Sequence, residues 1–497
     1  MTSHDARVLA AAVKDGSTTA SAIIDAHLTA IDALPHLHAW ITRVDGAARE
    51  HASGLDAARR RGEVLGPLAG VPMGLKDMFV TRGIATTAGS RMLTGWLPPY
   101  DGEHATRLRE AGAVLLGKLS LDEFGMGSSN ENVPGEAVRN PWAADRTAGG
   151  SSGGPAAAVA ARMIPFALGT DTGGSIRQPA AMCGVVGMKP SYGRVTRSGM
   201  IAFASSLDHA GPITRSVRDA ALVLGVLAGP SDGDATCVAE APGDFVGACE
   251  RGAAGLRIGV HKSALDDDAI DPEVRRAFTE ALAVLDGAGA VLVDIELPHA
   301  ALAVATYYVI CTAEASSNLA RFDGIRYGMR EPGSTMTASL EATRTAGFGA
   351  EVRRRILLGT YVLRENGRGA YYDRAARVRR LIADDYDRAF AHCDVIATPT
   401  APQPAFVRRD RDADPLAMYL GDVFTVGANL AGLPAISIPC GFTAGPPRLP
   451  IGLQIVGPHW REDVVLAAAA AHEDATAWHR AAPPGTVGET SFGRGSS

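Results

Sequence analysis

The sequence is poor in two residue types that often mark a chemical class, cysteine and lysine. Its six cysteines are scattered over 497 residues without a CxxC pair, which fits a reducing compartment and disfavours a zinc site. Only five of the 48 basic residues are lysines. Because arginine cannot lose its proton in a protein, a lysine kept in an apolar segment is a candidate for a deprotonatable amine. The lysines are Lys14, Lys76, Lys118, Lys189 and Lys262.

Further absences narrow the function. No apolar run approaches the roughly 18 residues that span a bilayer, and the N-terminus lacks a basic region followed by an apolar one. We therefore expect no secretion signal, no membrane contact and a cytoplasmic location. A P-loop, an HExxH motif and a dinucleotide fingerprint are missing, which disfavours ATP, metal and NAD chemistry on this chain. The net charge of −6 implies that any nucleic-acid substrate is held by a partner.

Apolar strand patterns alternate with helical patterns along most of the chain. This alternation predicts an α/β fold with a mixed central sheet covered by helices on both faces. Residues 1–65 are expected to form helical packaging of the same domain. Residues 66–482 form its core, with a helical insertion at about 300–390, and residues 483–497 are predicted to be a disordered tail.

The stretch 145–178 contains two Gly/Ser clusters, at 149–154 and 172–175. Between them, 156–161 suits a buried helix and 163–168 a strand. One such cluster is more often a simple turn than a site. Two clusters around one compact apolar element indicate facing loops, whose backbone N–H groups can hold an anion or a developing oxyanion.

Lys76, Ser151 and Ser175 are the catalytic candidates in these segments. Burial would lower the pKa of a lysine within GLKDMFV, although an ion pair with Asp77 is an equal alternative. The G-x-S-x-G pattern around Ser151 needs a preceding strand, whereas 143–148 is expected to be a polar loop. None of the 13 histidines falls in the Gly/Ser segments, so a Ser–Lys arrangement is favoured over a Ser-His-Asp triad.

Charged residues also lie beside apolar segments at two further places in the sequence. Asp422 lies in MYLGDVFTVGANLAGLP, where a carboxylate must be paired or bind a ligand. Arg353, Arg354 and Arg355 precede an apolar helical pattern. One of the three can face inward and hold a carboxylate, while at least two are expected on a solvated face.

GGSSGG, LGTDTGGSIRQPA and the upstream GLKD together resemble the amidase signature family. The resemblance runs from about residue 5 to about 480 and implies that fold. It implies Ser175 as acyl nucleophile, Ser151 as relay serine behind a cis peptide bond, and Lys76 as base. Thr172, Gly173 and Gly174 would supply oxyanion donors, and no metal or cofactor is implied on this chain.

Longer segments, such as FGMGSSNEN and RRRILLGTYVL, are similar to the branch of the family that hydrolyses glutamine for tRNA-dependent amidotransferases. That resemblance implies Arg355 for the α-carboxylate of glutamine and Asp422 for its α-ammonium. Tyr307 would line the pocket, with Tyr308 as the alternative.

The same resemblance implies a heterotrimer. A B subunit would use ATP and Mg²⁺ on mischarged tRNA, and a C subunit would join the pair. Two departures stand out, namely Pro155 after GGSSGG and the run LRENGRGAYY at 363–372. A stand-alone amidase acting on another carboxamide is the alternative function.

Overall fold

The computed structural model describes residues 5–240, 242–261, 269–411 and 414–486. Of the tail predicted from residue 483 onward, residues 483–486 are described, and Thr486 donates a hydrogen bond to the Pro483 carbonyl there. Residues 487–497 of that prediction lie outside the described part of the chain.

Strands of the described residues form one large sheet and one small ribbon. The strands are β1 (Trp40–Arg43), β2 (Pro72–Lys76), β3 (Val114–Leu119), β4 (Arg139–Asn140), β5 (Ala143–Thr147), β6 (Phe166–Asp171), β7 (Val186–Lys189), β8 (His209–Thr214), β9 (Arg257–Val260), β10 (Val291–Asp294), β11 (Val395–Pro399), β12 (Ala435–Phe442) and β13 (Pro450–Val456).

The large sheet has the order β1-β3-β2-β6-β8-β7-β12-β13-β11-β9-β10, while β4 and β5 form the ribbon. β2 runs parallel to both β3 and β6, and β9 runs parallel to β10 and β11. The pairs around β8, β12 and β13 are antiparallel. The predicted mixed sheet is therefore confirmed.

Helices flank this sheet. Within the described residues they are α1 (Ala6–Asp15), α2 (Ala20–Asp32), α3 (Asp45–Arg60), α4 (Glu103–Glu110), α5 (Gly153–Ala160), α6 (Arg177–Cys183), α7 (Val217–Leu227), α8 (Phe245–Ala248), α9 (Pro272–Gly287), α10 (Ala303–Asn318), α11 (Met336–Gly347), α12 (Ala350–Leu363), α13 (Tyr372–Phe390), α14 (Pro415–Leu420), α15 (Val426–Leu430) and α16 (Glu462–Ala475).

The composition of the helix α5 explains why it is buried. Its Ala/Val composition leaves no polar side chain, and every residue of α5 is buried. It packs against β2, β6 and β8. Pro155, one of the two departures, lies in the first turn of α5, where a proline costs no intrahelical hydrogen bond. The substitution is thus compatible with the helix.

Two local expectations differ from the structure. Residues 143–147, expected to be a polar loop, form β5, because they pair with β4 in the ribbon rather than joining the central sheet. The helical segment 1–65 also contains β1, which adds an edge strand next to β3. The region 300–390 is mostly helical as predicted, comprising α10 to α13.

Candidate active site

Lys76 ends β2 and lies at the centre of a group of hydroxyls. Its Nζ atom is 2.7 Å from Ser151 Oγ, 2.9 Å from Ser152 Oγ and 2.8 Å from Thr170 Oγ1. β2 and β6 are parallel neighbours, so their carboxyl ends share one edge of the sheet. This topology brings Lys76 next to Thr170 and to the loop that follows β6.

The alternative reading of Lys76, an ion pair with Asp77, is wrong. The Asp77 carboxylate pairs instead with the buried Lys118 amine at 2.9 Å and accepts hydrogen bonds from Thr87. Adjacent residues of an extended strand point to opposite faces. Among the residues that the structure describes, Lys76 therefore donates to hydroxyl groups only.

Burial lowers the pKa of Lys76 from 10.5 to about 7, although the carboxylates of Asp122, Asp171 and Asp208 act in the opposite direction. Removal of the ammonium from water outweighs these more distant charges. A substantial fraction of the amine is then neutral near pH 7. Lys76 is thus a candidate base that needs no histidine.

Ser151 lies in a closely packed glycine loop. The Gly150–Ser151 peptide bond is cis, and the Gly150 N–H donates to Gln178 Oε1 at 2.9 Å. A Cβ atom on Gly150 would lie 2.7 Å from the Ser129 nitrogen, so only glycine fits there. α5 begins two residues after Ser151. The GGSSGG cluster therefore forms both the turn and the first residues of a helix.

Ser175 lies in the turn between β6 and α6. Its carbonyl accepts a hydrogen bond from the Ser152 N–H at 3.2 Å, which holds the two serine loops side by side. The Asp171 carboxylate accepts the Gly174 N–H at 2.9 Å and the Ile176 N–H at 3.2 Å. These bonds fix the backbone on both sides of Ser175.

The expected oxyanion donors need one correction. The Gly174 N–H is already donated to Asp171, so it is not free for a ligand. Within the described part of the chain, the N–H groups of Gly173 and Ser175 donate to no protein acceptor. Thr172 uses its hydroxyl to bond Asp208 at 2.7 Å. Its backbone N–H donates to no described acceptor either, so the N–H groups of Thr172, Gly173 and Ser175 are left for a ligand at this turn.

Arg177 completes the support of this turn. Its guanidinium donates two bonds of 3.0 Å to Asp171 and further bonds to Asn429, Gln454 and the Thr425 carbonyl. Burial alone would raise the pKa of Asp171, but the adjacent Arg177 holds it well below its usual range. Neither residue was among the candidates from sequence. Their adjacency to TGGS was the only available signal.

Two adjacent tyrosines of α10 contact different neighbours. A Cβ atom on Gly173 would lie 2.6 Å from Tyr307 Cζ, so the Tyr307 ring packs directly on the serine turn. Tyr308 stacks on Tyr419 with ring centroids 3.9 Å apart. The two tyrosines thus occupy different walls, and Tyr307 is the one at the serine turn.

Arg355 is the single inward residue of its arginine triplet. It is 2% exposed, whereas Arg353 and Arg354 are exposed, as the sequence predicts. Its guanidinium lies 5.2 to 5.6 Å from the ring centroids of Phe203, Tyr308 and Tyr419. Its Nη groups donate to none of the described residues. A planar cation with free donors is suited to a carboxylate.

Asp422 lies near this arginine and is buried. Its Oδ2 atom accepts a 2.6 Å hydrogen bond from Ser128, and burial raises its pKa to about 7, with Ser128 and Arg355 opposing the rise. Gln178 donates to the Ser128 carbonyl at 2.8 Å and also holds Gly150. The Asp422 wall is therefore linked to the Ser151 loop.

The site contains a buried amine, two serines on facing loops, and backbone N–H groups beside one of these serines. This combination suits serine-based amide hydrolysis. A sequence model of the family described as Amidase matches residues 22–466. The chain belongs to this amidase family.

Relatives match over almost the whole chain. The A subunit of glutamyl-tRNA(Gln) amidotransferase from Moorella thermoacetica is 50% identical over 97% of this chain and 98% of its own length. The protein of that name from Halorhodospira halophila is also 50% identical, over 96% of this chain and 98% of its own.

Solved structures agree with the fold. The crystal structure of the A subunit of glutamyl-tRNA(Gln) amidotransferase from Thermotoga maritima has a TM-score of 0.76 and 40% identity, covering 92% of this chain and 91% of that one. The peptide amidase of Stenotrophomonas maltophilia has a TM-score of 0.81 and 33% identity, covering 95% and 96%.

No described helix has both the length and the apolar character that crossing a bilayer requires. No group of three or more His, Cys, Asp or Glu side chains in the described residues is arranged to hold a metal ion.

Proposed function

We propose that this protein hydrolyses glutamine and supplies the ammonia for transamidation of Glu-tRNA(Gln), Asp-tRNA(Asn) or both. The observation that carries the proposal is the contact of the buried Lys76 amine with Ser151 at 2.7 Å. It is supported by the buried Arg355 and Asp422 side chains, which offer a cation and a carboxylate for the two charges at the α-carbon of glutamine. Relatives at 50% identity carry the name of the corresponding amidotransferase component.

The first half of the reaction forms an ester. Neutral Lys76 takes the Ser151 hydroxyl proton while Ser151 takes the proton of Ser175, and Ser175 Oγ bonds to the side-chain amide carbon of glutamine. The carbonyl oxygen becomes an oxyanion, which the N–H groups of Thr172, Gly173 and Ser175 stabilise. The Lys76 ammonium returns its proton through Ser151 to the amide nitrogen. The C–N bond then breaks and ammonia leaves.

The second half releases the acid. A water molecule loses its proton along the same chain to Lys76, and its oxygen bonds to the ester carbon. The ester C–O bond breaks, Ser175 recovers its proton and glutamate leaves. Lys76 ends each half in its neutral form, so the cycle needs no metal ion or organic cofactor on this chain.

Glutamine is held by charge at its α-carbon. The two free Nη groups of Arg355 bind the α-carboxylate in the paired geometry that a guanidinium favours. Asp422 in its ionised form binds the α-ammonium, and the Tyr307 ring closes the pocket over Gly173. Together these contacts place the side-chain amide at Ser175.

In the proposed complex, this chain works with partner B and C subunits in the cytoplasm. The B subunit binds mischarged tRNA, activates it with ATP and Mg²⁺, and receives the ammonia. The net charge of −6 on this chain agrees with tRNA being held by that partner rather than here.

The test measures two activities. Purified protein, alone and co-expressed with B and C subunits from the same genome, is assayed for glutamine-dependent amidation of Glu-tRNA(Gln) and Asp-tRNA(Asn). We expect amidation only with the partners and with glutamine. Amidation that needs no glutaminase activity of this chain would contradict the proposal.

A stand-alone amidase is the second candidate, since a peptide amidase shares this fold at 33% identity. Affinity purification of the tagged protein from its own cells separates the two. A stoichiometric B subunit supports the amidotransferase, whereas an isolated chain that hydrolyses other carboxamides supports the amidase.

A further inference from the structure

Glu351 lies directly behind the arginine of the glutamine pocket. It occupies the first turn of α12, one helical turn before Arg355, and its side chain is 8% exposed. Glu351 Oε1 accepts the Arg355 Nε–H at 2.8 Å, and the exposed Arg354 pairs with its other oxygen. The carboxylate therefore holds the back edge of the guanidinium.

Tyr419 connects Glu351 to the aromatic wall of the pocket. Its hydroxyl donates to Glu351 Oε1 at 3.1 Å, while its ring stacks on Tyr308. The guanidinium of Arg355 lies near both rings. The plane of the guanidinium is thus set by aromatic rings, and its rotation within that plane is set by Glu351.

Charge reinforces this geometry. Burial would raise the pKa of Glu351, but Arg355 and Arg354 lower it overall, so the carboxylate stays ionised. A carboxylate in the first turn of a helix is also favoured by the helix dipole. Since Nε is occupied by Glu351, the Nη groups of Arg355 remain for a ligand.

We propose that Glu351, assisted by the Tyr419 hydroxyl, is the positioning residue that makes the site prefer amides carrying a carboxylate. It touches no substrate atom and acts through Arg355. The inference rests on the proposed function, because it concerns how the glutamine carboxylate is recognised.

The test compares two substrates that differ only in this group, L-glutamine and 4-aminobutanamide, by ammonia release. For Glu351→Met, which removes the acceptor at similar length, we expect the KM for glutamine to rise about tenfold or more. The kcat for glutamine and the kcat/KM for 4-aminobutanamide should stay within about twofold of wild type. Glu351→Gln, which keeps an acceptor oxygen, should give an intermediate KM.

Two controls separate positioning from folding. Glu341→Gln changes an exposed carboxylate on the neighbouring helix α11 and should leave both substrates unaffected. Tyr419→Phe keeps the stacked ring, loses only the hydroxyl, and should raise the KM for glutamine selectively. It provides the same test if Glu351→Met does not fold.

The outcomes are distinct. An unchanged KM for glutamine, or equal losses on both substrates, would overturn the positioning role of Glu351. Wild-type protein that does not hydrolyse glutamine would contradict the proposed function instead. The role of Glu351 is then measured with glutaramate against butyramide, a pair that also differs only in the carboxylate.

Discussion

Lys76 differs from Lys118 and Lys189, the other buried lysines of the described residues, in donating to three hydroxyl groups. Lys118 pairs with Asp77, and Lys189 donates to backbone carbonyls and contacts His209. Since none of its direct partners is a carboxylate, burial outweighs the more distant negative charges and the pKa of Lys76 falls to about 7. This environment is what suits Lys76 to proton transfer.

The first prediction concerns this amine. Lys76→Met should lower kcat for glutamine by at least about a thousandfold, because members of a catalytic relay act as a unit. The measurement is steady-state ammonia release, with circular dichroism to verify folding. Lys14→Met, at an exposed position on α1, is the matched control and should retain wild-type activity. Retained activity in Lys76→Met would exclude the amine as base.

The second prediction is the pH dependence. Lys76 must be neutral and Asp422 ionised, and each has a pKa of about 7. Lowering the pH through this range therefore reduces activity through both groups. On its acidic side, the pH profile of kcat/KM should fall with a limiting slope of two, because both Lys76 and Asp422 become protonated. The profile of kcat should fall with a slope of one, because the bound substrate ammonium keeps Asp422 ionised.

The Asp422→Asn variant tests the assignment. Its kcat/KM should fall at neutral pH and then depend on a single ionisation, that of Lys76. A two-group profile that persists in this variant would show that the second group is not Asp422.

At the residue scale, the sequence indicates a functional side chain only where its immediate neighbours in the chain make it unusual. Lys76 within apolar residues and serines beside glycines met this condition. Asp171 and Glu351 did not, because their importance comes from partners brought near by the fold. Glu351 in particular precedes three arginines and resembles part of a solvated helix. The catalytic and pocket roles of the predicted residues stay predictions until measured.

Among the elements, the turn between β6 and α6 depends on glycine for its close packing. Gly173 lies against the Tyr307 ring, and a Cβ atom there would be 2.6 Å from Cζ. Either the Tyr307 ring or the turn must therefore shift when a side chain is added, and a shift of the turn would move the N–H group of residue 173.

The third prediction follows from this contact. Gly173→Ala should reduce kcat by about a hundredfold or more, the usual effect of losing one oxyanion donor. Gly225→Ala, in the exposed face of α7 with no atom within 4 Å of the added Cβ, should keep full activity. It should also raise the free energy of unfolding by about 0.5–1 kcal/mol. Equal activities of the two variants would contradict the oxyanion assignment.

Element prediction succeeded where periodicity was unambiguous. The strand at 256–260 and the helix at 272–288 correspond to β9 and α9 with small shifts at their ends. It failed at β5, whose alternation is obscured by charged residues, and at the start of α5, which lies within the glycine cluster. Glycine signals a turn in sequence, yet tight packing on Asn130 and Ser120 requires it inside a helix here.

At the scale of the whole molecule, Arg177 connects segments that are distant in the chain. This side chain is fully buried and joins the end of β6 to α15 and β13, more than 240 positions later in the chain. The two large hydrophobic clusters of the described residues both draw on strands of the central sheet. We therefore expect the catalytic turn and the sheet to unfold together.

The fourth prediction tests this coupling. Arg177→Met should lower the free energy of unfolding by about 3–5 kcal/mol, because it leaves Asp171 as an unpaired buried charge. Arg380→Met, which removes an exposed ion pair on α13, should change it by at most about 0.5 kcal/mol. Denaturant unfolding followed by fluorescence provides both values. Similar values for the two variants would contradict a structural role for the buried network.

The fold class was predictable because the α/β alternation and the paired Gly/Ser loops are local patterns. Strand order was not, since it depends on contacts such as β7 with β12 that join distant segments. The division of the chain into a helical start, a core and an insertion stays a prediction, although α10 to α13 occupy the region named for that insertion.

The most direct test of the proposed chemistry is identification of the residue that becomes acylated. Glutamine turnover is quenched in acid, and the digested protein is analysed by tandem mass spectrometry. We predict a γ-glutamyl ester on Ser175 in the wild-type protein and no ester in Ser175→Ala, which should also release no ammonia. An ester on a different residue, or undiminished ammonia release by Ser175→Ala, would contradict the account.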